Sequence, residues 1–66
     1  MMDVGKNIRK SRRQRNVTQV QLADRLNISR TTLSSYENDR RIPNIQMIWM
    51  IADVLGISID ELVGRK

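Results

Sequence analysis

The chain contains no cysteine and no histidine. Without cysteine there can be no disulfide framework, and without either residue there is no ligand set for a structural zinc. The acids do not supply a hard-cation cage either. They stand singly (Asp3, Asp24, Glu37, Asp39, Asp53) except for the neighbours Asp60 and Glu61. No metal and no cofactor is expected. Long apolar runs are also missing. The longest, Met47 to Ala52, is too short for a signal peptide's apolar region or a membrane span, so a cytoplasmic protein is expected. There is no glycine-rich loop to cradle a phosphate, and the serines have no histidine or cysteine beside them to form a nucleophile–base pair. An enzyme is not expected. With 66 residues there is room for one domain, 1–66. A chain this short buries only roughly 60% of the surface it exposes when unfolded. Its stability must come from tight helical packing, a partner subunit, or both.

What is present is positive charge. The net charge is +5, and Lys6, Arg9, Lys10, Arg12, Arg13 and Arg15 fall within residues 6–15 with no acid among them. Such a block suits a polyanion, and nucleic acid is the commonest one. A solvated helix face and an anionic membrane surface are the alternatives that charge alone leaves open. A surface-seeking helix needs a broad apolar face with Trp, Phe or Leu, and this segment offers only Val4 and Ile8. No membrane partner is therefore expected.

Helix start and stop signals recur along the whole chain, and no β-type alternation persists. The reading is all-α, with five helices at about 4–15, 18–26, 29–37, 45–55 and 59–63. Asp3 stands where it can cap the first helix. Thr18 with Gln21 three residues on, and Ser58 with Glu61, have the form of capping boxes. Ser29 and Asn44 are the remaining caps, and Pro43 blocks continuation from upstream. Asn16, Asn27 and Asn38–Asp39 close helices with residue types that tolerate positive φ, and Gly56 ends the fourth helix. Only Asn27 and Ile28 separate the second helix from the cap of the third. A corner that tight holds two helices at a steep angle, the helix-turn-helix arrangement.

The stretches Thr18–Gln19, Leu22–Ala23, Ile28–Ser29–Arg30, Tyr36–Glu37–Asn38, Pro43, Ile51–Ala52, Leu55–Gly56–Ile57–Ser58 and Asp60–Glu61–Leu62 together resemble the lambda-repressor-like helix-turn-helix family (Xre or Cro type). The resemblance runs from Val4 to Leu62 in order, spacing and identity. It implies a transcriptional regulator, a repressor, that places its third helix in the major groove of double-stranded DNA. Similar proteins often carry glycine where this chain has Asn16, Asn27 and Asp39, and a larger apolar residue in place of Ser11.

Leu33 and Tyr36 point the third helix inward, which leaves Arg30, Thr31, Ser34 and Ser35 outward as candidate base readers. Arg30 leads them, because a guanidinium can grip guanine O6 and N7 together. For backbone contact the candidates are Thr18, Gln19, Ser29, Asn38, Arg40 and Arg41. The resemblance adds Arg12, as a phosphate contact that also pairs with Glu37. Lys6, Arg9, Lys10, Arg13 and Arg15 are read as solvated steering charge.

On the fourth helix, Ile45, Ile48, Ala52 and Leu55 read as the core face, with Trp49 and Ile51 at its margins and Trp49 taken as core. Met47, Met50 and Val54 form an opposite stripe that, with Ile59 and Val63, is the expected homodimer contact on a pseudo-palindromic operator. The competing functional class is a protein-interaction module with a protein partner, such as the antitoxin of a toxin pair.

Overall fold

The computed structural model describes residues 3–64, and within them five helices and no strand. They are α1 (Val4–Gln14), α2 (Gln19–Leu26), α3 (Arg30–Glu37), α4 (Ile45–Leu55) and α5 (Ile59–Val63). Four of the five expected caps work as read. The side chains of Thr18, Ser29, Asn44 and Ser58 each accept from the backbone N–H three residues on, and both capping boxes close. Asp3 does not. It stands at the cap position of α1, but its side chain makes no capping bond.

Asn16, Asn27 and Asp39 have φ of 55°, 61° and 59° and turn the chain out of α1, α2 and α3. Side-chain amides and carboxylates make this left-handed region tolerable, so each substitutes for glycine at modest cost. At the corner between α2 and α3, the Ile28 N–H bonds back to the Ala23 carbonyl, and Ser29 then opens α3.

The core draws on every helix. Ile8, Leu22, Leu26, Leu33, Ile51 and Leu62 have almost no exposed surface, and Val4, Tyr36, Ile48 and Leu55 close around them. Burying one such side chain is worth roughly 1.5–3 kcal/mol. α1 lies against α3 and α5, while α2 lies between α3 and α4. The junction of α1 with α3 depends on Gly5. A Cβ there would press on the Tyr36 carbonyl oxygen and sit 2.8 Å from that of Glu37. Gly5 therefore lets the first turn of α1 rest directly on the backbone at the end of α3.

α4 is turned differently from the sequence expectation. Ile51 is fully buried, while Ile45 and Trp49 are 68% and 65% exposed. Met47 and Val54 are half-buried and pack against the core, as do Ile59 and Val63. Only Met50 of the expected stripe is exposed. Nearly every side of this helix is apolar, so its apolar residues alone do not fix its orientation. Its two polar residues do. Gln46 and Asp53 are seven apart, two turns of helix, and both face outward with Trp49 and Met50 between them.

Candidate nucleic-acid interface

The geometry of α3 starts from its inward side. Leu33, Tyr36 and Glu37 are buried, and at about 100° per residue that turns Thr31, Ser34, Ser35 and Asn38 away from the core. Arg30 and Thr31 are exposed, and Ser34 and Ser35 are half-buried. None of these four candidate readers packs into the core cluster. Ser29 caps the helix, and its Oγ also lies 2.9 Å from Thr32 Oγ1, so its side chain serves local structure. Thr18 does the same for α2, with its backbone N–H and hydroxyl both in the capping box.

A buried carboxylate organises the edge. Glu37 is 3% exposed and is shared by three elements. Arg12 Nε donates to Oε2 at 2.7 Å and Nη2 to Oε1 at 3.1 Å, while Gln19 Nε2 donates to Oε1 at 3.1 Å. Arg9 Nε adds a longer contact to Oε1 at 3.4 Å. Burial by itself pushes the Glu37 carboxyl up, but hydrogen bonds from Arg12, Gln19 and Arg9 with the Arg12 charge outweigh it. The group is held below the ordinary carboxylate value.

Arg12 is itself only 8% exposed, and its Nη1 donates to the Val17 carbonyl at 2.9 Å. All three guanidinium nitrogens thus have partners inside the protein. The pairing with Glu37 stands as expected, and Arg12 acts as a clamp with little surface left for a phosphate. Gln19 joins the clamp to the outward edge of α3. Its amide nitrogen is on Glu37, and its oxygen accepts from Arg30 Nη1 at 3.4 Å.

Arg9 is not the solvated charge the sequence suggested. It is half-buried, and its Nη2 donates to Asn38 Oδ1 at 2.6 Å and to the Glu37 carbonyl at 3.4 Å. Spacing could have revealed it: Arg9 and Arg12 are three residues apart on one helix and so lie over the same neighbour. Lys6, Lys10, Arg13 and Arg15 are exposed. Past α3, Arg40 and Arg41 are exposed as well, and the Arg41 guanidinium lies 5.9 Å from the Tyr36 ring centre. The backbone N–H groups of both arginines bond to the Ser35 carbonyl, fixing their place at the helix end.

Two short helices, a left-handed corner and an outward edge of Arg, Thr and Ser define a helix-turn-helix domain. The sequence model of the helix-turn-helix family matches residues 8–62, and the chain belongs to that family. It is 40% identical over 65 residues to the immunity repressor protein of Bacillus phage phi105, covering 98% of this chain and 45% of that one. To the cryptic phage CTXphi transcriptional repressor RstR of Vibrio cholerae it is 41% identical over 64 residues, covering 97% and 57%. The chain thus spans about half the length of these curated relatives. Among solved structures, it superposes on the biofilm master regulator SinR, crystallised in complex with DNA. The TM-score is 0.82 at 27% identity, covering 89% of this chain and 95% of that one. Among the described residues, no helix is long and apolar enough to cross a membrane.

Proposed function

We propose that this chain is a sequence-specific DNA-binding domain of a transcriptional repressor, which sets the outward edge of α3 in the major groove. One observation carries the reading: Arg30, Thr31, Ser34 and Ser35 stay clear of the core on a helix whose other side is locked by Leu33, Tyr36 and Glu37. Arg30 grips a guanine, and Thr31 offers a methyl to thymine. The serines allow close approach, directly or through water. Gln19, at the start of α2, with Asn38, Arg40 and Arg41 at the end of α3, takes the flanking phosphates. Thr18 and Ser29 serve as caps that hold the starts of α2 and α3 in place, with their hydroxyls engaged there. Arg12 holds α1 on α3 and so sets the angle of the edge.

Relatives named as repressors support this role over the antitoxin reading. No enzymatic activity is proposed, and the site of action is the cytoplasm, where the DNA is. The protein works as a homodimer through the C-terminal helices, with half-sites about 34 Å apart or a multiple of it. The contact centres on the exposed Ile45, Trp49 and Met50, with Ile59 at its margin. Trp49, Met50 and Ile59 already border one shallow surface hollow.

Selection of bound duplexes from a random pool tests the reading. The wild-type protein should enrich a motif containing guanine, and Arg30→Ala should lose the preference at that guanine, while Arg40→Ala weakens all sequences about equally. Failure of the wild type to enrich any motif would overturn it.

A further inference from the structure

The polarity of the Ser34 hydroxyl is set from outside α3. Arg9 Nη2 donates to Asn38 Oδ1 at 2.6 Å, and the Asn38 amide nitrogen donates to Ser34 Oγ at 3.2 Å. A guanidinium has donors only, so Asn38 must turn its oxygen to Arg9 and its NH2 to Ser34. An NH2 group also only donates. Ser34 is therefore the acceptor in that bond, and its own hydrogen has no acceptor among the described residues. A hydroxyl that accepts one hydrogen bond becomes a better donor in the next.

We infer that Arg9, through Asn38, biases Ser34 toward donating its hydrogen to the base edge, making Arg9 and Asn38 positioning residues for sequence choice. The inference rests on the DNA reading proposed above and deepens it. In the major groove a donor is met by guanine N7 and O6, by thymine O4 or by adenine N7 (beside the adenine N6 donor), whereas cytosine presents only the N4 donor. Ser34, with one lone pair taken and its hydrogen free, therefore favours guanine or thymine over cytosine at the base it meets. Surface charge alone would give Arg9 no influence on any single base.

Duplex selection with a set of variants tests this. Ser34→Ala first identifies the motif position that Ser34 reads, because that position alone should lose its preference. Asn38→Asp keeps the shape but leaves only acceptors. The aspartate holds its contact with Arg9 and accepts a hydrogen bond from the Ser34 hydroxyl, so the serine faces DNA with lone pairs. The ratio of guanine or thymine to cytosine at that position should fall by about three- to tenfold, the worth of one hydrogen bond. The added negative charge weakens every sequence alike and drops out of the ratio. Arg9→Met frees the amide to turn either way, so the position should accept both polarities. It also keeps the test open should Asn38→Asp fail to fold.

An unchanged base ratio in Arg9→Met, or in a folded Asn38→Asp, overturns the inference while leaving the DNA reading intact. So does a Ser34→Ala motif identical to that of the wild type. No motif from the wild type overturns both.

Discussion

Arg12 Nε meets Glu37 Oε2 at 2.7 Å, joining the last turn of α1 to the last residue of α3 with both side chains nearly shut off from solvent. A carboxylate and a guanidinium buried together support each other, and removing one strands the other without a partner. Arg12→Met and Glu37→Ala should each cost about 3–5 kcal/mol. That approaches the whole stability of a domain this size. Urea unfolding followed by circular dichroism should find both variants largely unfolded at 25 °C. Loss of less than about 1 kcal/mol in either would place the pair among ordinary surface salt bridges.

The same group sets a pH dependence. Because the folded protein holds the Glu37 carboxyl below its unfolded value, the unfolded state takes up the proton first as pH falls. The pair's contribution is therefore complete above the ordinary carboxylate range and is lost as pH drops through the lower folded value. Urea midpoints measured from pH 7 down to pH 2 should fall through this window. A midpoint that stays flat or rises toward acid would contradict the assignment.

Gly5 offers a test of the α1–α3 contact that leaves charge unaltered. Alanine favours a helix over glycine by roughly 1 kcal/mol, so Gly5→Ala on an open face would stabilise. Here the new methyl would press on the Tyr36 and Glu37 carbonyl oxygens and on Asp39 Oδ1, which lies 2.7 Å away. The variant should instead lose about 1–3 kcal/mol, the usual cost of overpacking. A rise in melting temperature would show that the junction yields easily.

Trp49 tests the homodimer. Trp49→Arg places a charge on an exposed face of α4, so the fold should survive, with an unfolding midpoint equal to that of the wild type at dilutions where both are monomers. Light scattering at high protein concentration should give a dimer for the wild type and a monomer for the variant. A wild-type monomer at all concentrations would rule out pairing through this surface.

The sequence disclosed what depends on local chemistry. Thr18, Ser29, Asn44 and Ser58 cap because a short oxygen-bearing side chain just before an apolar-periodic run has one favourable use. Asn16, Asn27 and Asp39 turn left because few other side chains can. What depends on contacts between distant segments was harder to read. α4 is apolar on almost all sides, so its apolar periodicity left Trp49 and Ile51 exchangeable until packing chose between them. Arg9 sits in a row of cations, and only its three-residue spacing from Arg12 hints that Glu37 and Asn38 come to meet it. The outward edge of α3 was legible because it is what remains once Leu33 and Tyr36 have turned inward. Its wiring to Gln19 and Arg9 was not.

The most direct test of the central claim is to find which face of the domain meets DNA. Amide chemical shifts should be followed by NMR as the selected duplex is titrated in. The largest changes should fall at Thr18, Gln19 and residues 29–41, while the Trp49 side of α4 stays still except for what pairing imposes. Changes confined to the exposed Lys6, Lys10, Arg13 and Arg15 of α1, with α3 silent, would contradict it.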